Sequence, residues 1–144
     1  MRRTTRDTGE ALTHFTTSSG GSELKPVVKE LTQAKIDRYA GASGDGNPLH
    51  TDAQFAANTQ FGGTIAHGML LLAYLSEMMT TNVGGAWLNG GRLKARFRAP
   101  ARPGDTVTAS GLVTQGEQGR LRCEVQCRNQ HGEVLVTGEA EVTA

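Results

Sequence analysis

Residues 65–81 read IAHGMLLLAYLSEMMTT, and this stretch decides the fold. Its apolar residues recur all round the helical circumference and leave no broad polar face, a pattern typical of a helix that other structure encloses. These residues are Ile65, Ala66, Met69, Leu70, Leu72, Ala73, Leu75, Met78 and Met79. Gly84 and Gly85 follow the stretch and predict the end of the helix.

The chain after this helix alternates between apolar and polar residues, which is typical of strands with one buried face. The alternation covers residues 92–98, 106–114, 121–127 and 134–142, with turns at 100–104, 115–119 and 129–132 between them. Four consecutive strands linked by short turns predict an antiparallel meander. The helix at 65–81 is the only segment apolar enough to cover its buried face. We therefore expect the α+β class and the hot-dog fold, in which an antiparallel β-sheet wraps around one long central helix.

The part of the chain before the central helix predicts shorter elements. Residues 24–31 should be extended, because a proline interrupts any helix there. Thr32 is a good N-cap for a helix that ends at Gly41. A bent loop is expected over residues 43–50, and a short helix should follow it and end near Asn58.

The N-terminus differs in composition from the rest of the chain. Residues 1–21 contain arginines and many threonines but no apolar core of the kind that a secretory signal needs. They predict a disordered N-terminal tail or an expression remnant, and residues 22–144 predict a single domain. The longest apolar run, residues 69–75, is far too short to span a membrane. These features predict a soluble, cytoplasmic protein.

Charge and cysteine content exclude several classes of protein. The chain has 144 residues and a formal net charge of +1, which argues against nucleic acid or a membrane surface as a partner. Cys123 and Cys127 share the apolar face of a predicted strand. Four strand residues separate their Cα atoms by roughly 13 Å, too far for a disulfide bond between them. Two thiols are also a poor zinc site, so we expect buried thiols in a reducing compartment and no metal.

Residues 43–52 read SGDGNPLHTD and contain an acid and an imidazole within one bent segment. The Asp-Gly and Asn-Pro steps bend the backbone between Asp45 and His50. Such a bend can point both side chains into one small volume, as proton transfer by two groups requires. The alternative is a simple surface turn in which Thr51 or Asp52 caps a short helix.

His67 and Gly68 stand near the start of the predicted central helix. The first N–H groups of a helix have no intrahelical acceptor, and they carry partial positive charge. Because Gly68 has no side chain, a ligand can approach its N–H group closely, which suits a developing oxyanion. The alternatives are that Gly68 permits tight packing and that His67 is a satisfied structural histidine.

Taken together, residues 43–52 and 65–70, with FRAP at 97–100 and PGD at 103–105, resemble the MaoC-like hydratases. This family contains the (R)-specific enoyl-CoA hydratases (type 2 enoyl-CoA hydratases) and related 3-hydroxyacyl-thioester dehydratases. The similarity runs from about Leu24 to the C-terminus. It implies a hydro-lyase that adds water reversibly to trans-2-enoyl thioesters of CoA or carrier protein and gives (R)-3-hydroxyacyl thioesters.

The resemblance also implies roles for individual residues. Asp45 and His50 correspond to the catalytic pair, and Gly68 corresponds to the backbone amide that holds the thioester carbonyl. Three further residues of the two motifs are implied to bind substrate or support the pair: Asn47, Ser43 and His67. The resemblance implies no cofactor and no metal.

The chain departs from the family pattern at one position. Some characterised members carry a serine where Ala73 stands here, and that serine is hydrogen-bonded to the catalytic aspartate. Without this hydroxyl, Asp45 needs another partner, and the nearest hydroxyl on the helix is that of Ser76.

Partners follow from charge and from the fold. Basic side chains occupy one face of a predicted strand, at Arg92, Lys94, Arg96 and Arg98. They could meet the phosphates of CoA or an acidic carrier-protein surface, and the alternative is a solvated strand face. Small hot-dog domains typically pair edge to edge with the ligand cleft between the chains. We therefore expect a homodimer or a dimer of dimers.

Two other functions stay open. A hot-dog acyl-CoA thioesterase uses a carboxylate on or near the central helix, where Glu77 is the only acid. A non-catalytic acyl-thioester-binding subunit of a heteromeric dehydratase would not need Asp45, Asn47 and His50, so their presence favours an enzyme.

Overall fold

The computed structural model describes residues 22–117 and 119–143, so the tail predicted over residues 1–21 lies outside the described residues. Within these ranges, six strands form one antiparallel sheet, and a long helix packs against its buried face. The predicted α+β class and hot-dog fold are confirmed.

The N-terminal half contains two short strands, β1 (Ser22–Glu23) and β2 (Val27–Glu30), and three helices, α1 (Gln33–Ser43), α2 (Pro48–Thr51) and α3 (Ala53–Ala57). The central helix α4 (Gly68–Val83) and the short helix α5 (Gly85–Gly90) lead into four strands, β3 (Gly91–Phe97), β4 (Thr106–Glu117), β5 (Arg120–Arg128) and β6 (Val134–Thr143).

Helix ends that depend on local chemistry lie close to where the sequence predicts them. Thr32 caps α1 by accepting a hydrogen bond from the backbone N–H of Lys35. The carboxylate of Asp52 caps α3 in the same way, and α3 ends at Asn58. Gly84 ends α4 with a φ of 64°, in the left-handed region that favours glycine.

The strand order differs from the predicted meander at one place. The order is β1-β4-β5-β6-β3, with β2 also paired to β4, so β3 pairs with β6 and not with β4. The reason is that β4 has no free edge: β5 occupies one side, and β1 and β2 occupy the other. The three strands β4, β5 and β6 do form a meander, and residues 98–105 carry the chain from β3 across to β4.

The predicted turn at 115–119 is also wrong in part, since β4 continues to Glu117. The pairing register between β4 and β5 shifts between Val113 and Gln115. An extra residue at such a bulge interrupts the two-residue alternation without ending the strand. The alternation of apolar and polar residues therefore ends before β4 does.

The central helix starts later and is less enclosed than the sequence predicts. Residues 65–67 lie outside the helix, because Ile65 donates its backbone N–H to the carbonyl of Leu49 and Ala66 donates to Ala101, and His67 has extended backbone dihedrals. One stripe of α4 faces outward in the single chain. Its members Met69, Ala73 and Glu77 are exposed, and Met69 is 59% exposed.

The core lies between α4 and the inner face of the sheet. Buried helix residues such as Leu75, Met78 and Met79 pack in one cluster with the sheet. Most of the residues that alternation places inward on β4, β5 and β6 are buried there: Val107, Ala109, Val113, Leu121, Cys123, Val125, Cys127, Val136, Ala140 and Val142. Gly111, Val134 and Gly138 are only partly buried, and a register shift between β5 and β6 buries Leu135 in place of Val134. This packing fixes the position of α4 and of the segments attached to its N-terminus.

The short helix α5 was not predicted. Trp87 anchors it, because the indole is buried in the core and its Nε1–H donates to the Oγ of Ser76 at 2.8 Å. In the described part of the chain, no helix is long and apolar enough to cross a membrane.

Both cysteines are buried free thiols on β5, as the sequence predicts. Burial raises the pKa of Cys123 and of Cys127 to about 12. Because the thiolate is the reactive form, we expect neither thiol of the native protein to react with iodoacetamide at pH 8. Mass spectrometry should find both thiols alkylated only after denaturation. Rapid labelling of the native protein would contradict the burial described here.

Candidate active site

The loop that carries Asp45 begins where α1 ends. Gly44 takes a φ of 77°, and its N–H donates to the carbonyl of Ala40, which turns the chain away from the helix. The N–H of Asp45 donates to Ser43 Oγ at 3.2 Å, and Asp45 Oδ1 accepts from the N–H of Asn47 at 3.2 Å. Ser43 and Asn47 therefore shape the loop around Asp45.

His50 lies on a short helix, whereas the sequence predicts a bent loop as far as residue 50. Asn47 Oδ1 accepts from the N–H of Leu49 at 3.0 Å and caps α2, while Pro48 takes the first helical position. Proline is favoured there because its missing N–H and fixed φ suit the start of a helix. The turn and the short helix together bring His50 Nε2 to 3.9 Å from Asp45 Oδ2.

The hydrogen bond on the other side of the His50 ring defines its tautomer. His50 Nδ1 lies 2.8 Å from the carbonyl oxygen of Ile65. A carbonyl oxygen only accepts, so we assign the proton of the neutral ring to Nδ1. The lone pair of Nε2 then faces the Asp45 carboxylate. His50 is thus placed as a base, and the Asp45 carboxylate can stabilise the imidazolium that forms when Nε2 gains a proton.

His67 lies behind this pair and is 2% exposed. Its Nε2 donates to the backbone carbonyl of Asp45 at 3.0 Å. Its ring stacks on His50 with centroids 3.8 Å apart, and Tyr39 contacts it edge-on at 4.9 Å. His67 Nδ1 has no hydrogen-bond partner in the described structure. The ring is thus in contact with both members of the predicted pair.

Gly68 is the first residue of α4, and no described residue accepts a hydrogen bond from its N–H. A Cβ atom at this position would lie 2.6 Å from the ring of Phe97. A side chain at residue 68 would require the exposed Phe97 ring to move, and this contact supports the packing interpretation, which was the alternative to close approach by a ligand. The N–H group itself stays available at the positive end of the helix dipole.

The structure places the predicted residues in one region and removes one hypothesis. Asp45, His50, His67 and Gly68 meet where the loop after α1 contacts the start of α4. Ser76 does not take part: its Oγ accepts from Trp87 Nε1, and no hydrogen bond joins Ser76 to Asp45 in the described structure. The carboxylate of Asp45 is instead held by its own loop, where it accepts from the N–H of Asn47, and Ala73 offers it no hydroxyl.

Sequence reasoning missed Gln33, which holds the back of the site. Its Nε2 donates to the carbonyl of His50 at 2.7 Å, and its Oε1 accepts from the hydroxyl of Thr64 at 2.7 Å. Gln33 thereby joins α2 to the segment before α4. Nothing in its sequence context indicates this, because the contacts depend on the folded positions of three separate segments.

Three side chains of this site offer ligand atoms within 4.8 Å of one another: Asp45, His50 and His67. The ring planes of His50 and His67 differ by only 26°, so the in-plane lone pairs of their nitrogens are nearly parallel. A metal ion needs lone pairs that converge on one point. His50 Nδ1 and His67 Nε2 already donate hydrogen bonds to backbone carbonyls, so neither is available as a metal ligand. This geometry does not favour a metal site.

Two charged features outside the site are engaged within the chain. Glu77 forms an ion pair with Lys29 at 2.9 Å, which leaves the only carboxylate of α4 neutralised by a neighbour. On β3, Arg92 and Lys94 lie directly across from Glu141 and Glu139 of β6. This register favours the interpretation of the basic row as a solvated strand face.

The site is open on one side in the single chain. The side chain of Asp45 is 54% exposed, although that of His50 is only 12% exposed. Met69 and Phe97 are both exposed beside Gly68. One chain therefore supplies only part of the walls of the site.

Comparison with known proteins identifies the family. Residues 15–134 match the family described as MaoC like domain. An (R)-specific enoyl-CoA hydratase of Rhodospirillum rubrum is 32% identical over 139 residues, which cover 92% of this chain and 93% of that protein. The solved structure of an R-hydratase from Pseudomonas aeruginosa has a TM-score of 0.77 and 33% identity, covering 88% of this chain and 82% of that one. An (R)-hydratase from Aeromonas caviae has a TM-score of 0.76 and 32% identity, with 88% and 97% covered. The chain belongs to the MaoC-like family, as its motifs predict.

Proposed function

We propose that this protein is a hydro-lyase that adds water reversibly to trans-2-enoyl thioesters and gives (R)-3-hydroxyacyl thioesters. The observation that carries the proposal is the position of His50 Nε2 opposite the Asp45 carboxylate, close to a helix start whose Gly68 N–H is free. Relatives named as (R)-specific enoyl-CoA hydratases and as a 3-hydroxyacyl-thioester dehydratase support the reaction class.

The reaction requires a base, an acid and a stabilised enolate. In the proposed hydration, the Nε2 lone pair of His50 takes a proton from water while the water oxygen bonds to C3. The carboxylate of Asp45 stabilises the imidazolium that forms. The pair then returns one proton to C2, so that one water molecule is added and the protein regains its starting state. Since both groups lie on one side of the substrate, the addition is syn.

The Gly68 N–H is proposed to hold the thioester oxygen. As C3 is attacked, negative charge moves onto this oxygen, and a donor at the positive end of a helix stabilises it most at that moment. Oxyanion donors of this kind contribute roughly 3 kcal/mol to the transition state.

We further propose that a second copy of the chain closes the open side of the site. Within the described residues, the outer edge of β3 pairs with no further strand, and the side chains of Met69, Ala73 and Phe97 are exposed. An enolate intermediate is better stabilised where water is excluded. A homodimer, or a dimer of dimers, with the ligand cleft between subunits would provide that exclusion.

The other proposed properties follow from the same chemistry. The substrate carrier is CoA or an acyl carrier protein, and the reaction needs no cofactor because proton transfer and one N–H donor suffice. Two buried free thiols suit a reducing compartment, which supports a cytoplasmic location. The near-neutral charge gives no support for nucleic acid or a membrane as a partner.

Loss of either member of the pair should abolish turnover. We expect Asp45→Asn and His50→Ala to lower kcat for crotonyl-CoA by at least about a hundredfold with little change in KM, because each removes a proton-transfer group. The loss of enoyl absorbance measures hydration, and His131→Ala, at an exposed turn far along the chain, is the control.

The same assay separates the two other functions. Release of free CoA thiol in place of hydration would indicate a thioesterase. Binding of crotonyl-CoA without turnover by the wild-type protein would indicate a non-catalytic subunit. Near-normal hydration by Asp45→Asn or His50→Ala would reject the proposed pair.

A double-mutant cycle tests why residue 68 is glycine. Gly68→Ala keeps the N–H group but places a methyl group against the ring of Phe97, so we expect kcat to fall at least tenfold, about 1.4 kcal/mol. Combining it with Phe97→Ala should restore part of this loss relative to Phe97→Ala alone, because the methyl group then has room. A double variant as inactive as Gly68→Ala would show that the clash with Phe97 is not the cause.

The proposed dimer can be measured directly. Light scattering should give about two or four times the chain mass of 15.3 kDa. Ala73→Glu, on the exposed stripe of α4, should shift the protein toward monomer, whereas Ala34→Glu, at an exposed position of α1, should not. A fully active monomer would contradict the proposal that a second copy completes the site.

A further inference from the structure

We propose that His67 is a positioning residue that aligns Asp45 and His50 with each other. The inference rests on the proposed function, because it concerns the geometry of the pair that would carry out hydration. His67 is almost completely buried behind the pair, so it has no access to substrate in the single chain and acts through its neighbours.

The first contact is the hydrogen bond to the loop that carries Asp45. This loop, residues 44–47, contains two glycines, and its other hydrogen bonds run to residues between 40 and 50. The bond from His67 Nε2 to the carbonyl of Asp45 joins residues 22 positions apart. In the described structure it is the one hydrogen bond that ties this loop directly to the start of α4.

The second contact is the stack on His50. The two rings lie 3.8 Å apart and nearly parallel, and Tyr39 supports the His67 ring edge-on. The carbonyl of Ile65 holds His50 at Nδ1, so the stack restricts the remaining freedom of the ring, which is rotation out of its plane. Together the two contacts keep Nε2 of His50 pointed at the carboxylate.

The unpartnered Nδ1 of His67 supports a specific role for this side chain. Burying a polar nitrogen without a partner is destabilising, and an apolar ring of the same shape would avoid that penalty. Only a residue with both a flat ring and an N–H donor at its far edge can make both contacts. Histidine combines these two features in a small volume.

Three variants separate the two contacts. His67→Phe keeps a ring for the stack and removes the donor, His67→Gln keeps a donor near the Nε2 position and removes the ring, and His67→Ala removes both. We expect His67→Ala to lower kcat for crotonyl-CoA at least tenfold with KM within about twofold, and Phe and Gln to lose less than Ala. His131→Gln is the matched control for loss of a histidine.

A spectroscopic readout distinguishes positioning from simple stability. The chain has 4 histidines, so the ¹⁵N signals of His50 can be assigned. We expect Nδ1 of His50 to be the protonated nitrogen of the neutral ring in the wild-type protein. In His67→Ala, the ¹⁵N chemical shifts of the two His50 nitrogens should move toward the average expected for a ring that exchanges freely between its two tautomers. Thermal unfolding shows whether each variant folds. If His67→Ala does not fold, kcat and the His50 signals are compared in His67→Gln.

The outcomes for the two proposals differ. If Asp45→Asn and His50→Ala are inactive, but folded His67 variants keep kcat within twofold and leave the His50 signals unchanged, His67 has a structural role only and the inference is wrong. If the Asp45 and His50 variants themselves stay active, the proposed function fails first.

Discussion

Two backbone hydrogen bonds, from Ile65 to Leu49 and from Ala66 to Ala101, determine where the central helix begins. They hold residues 65–67 outside the helix, between α2 and the crossing segment that follows β3. A helix that began at residue 65 would bond the N–H of Gly68 to the carbonyl of residue 64, because each α-helical N–H bonds to the carbonyl four residues earlier. The later start leaves that N–H free. The same segment supplies the carbonyl of Ile65 to His50 and carries His67 to the loop around Asp45.

The site is therefore assembled from short segments that would not keep their shape alone. The loop after α1 is held by side chains of its own sequence, Ser43, Asp45 and Asn47, and these contacts set its local bend. The contacts that orient it in space come from elsewhere. Gln33 and His67 supply them from either side, and the packed core beneath α4 keeps His67 in place.

Much of the fold follows from local sequence pattern. Alternation along β5 predicts its buried residues, whereas on β6 a register shift buries Leu135 in place of Val134. Thr32 and Gly84 mark helix ends because each satisfies a requirement of the backbone at that position. The pairing of β3 with β6 does not follow from pattern, since it depends on which edge of the sheet is already occupied. The start of α4 is missed for a similar reason: apolar periodicity does not record hydrogen bonds to distant residues.

The candidate site shows the same division. The bend between Asp45 and His50 predicts that these two side chains meet, and the family resemblance adds Gly68 to them. The structure brings the Asp45 and His50 side chains within 3.9 Å. The sequence pointed to Ser76 as a partner for Asp45, because position along a helix does not reveal that the Ser76 side chain contacts Trp87 and forms no hydrogen bond with Asp45 in the described structure. Gln33 and Phe97 lie outside the two motifs that mark the site, and only the folded arrangement reveals their contacts with it.

The free edge of β3 has a consequence for the newly synthesised chain. Its outward face carries Arg92, Lys94 and Arg96, and the first two of these lie across from Glu141 and Glu139 on the side toward β6. A foreign strand approaching from the other side meets cations at alternate positions, and charged edges of this kind discourage indiscriminate pairing. A newly made chain is thereby less prone to aggregate with unrelated polypeptides before it reaches its native structure.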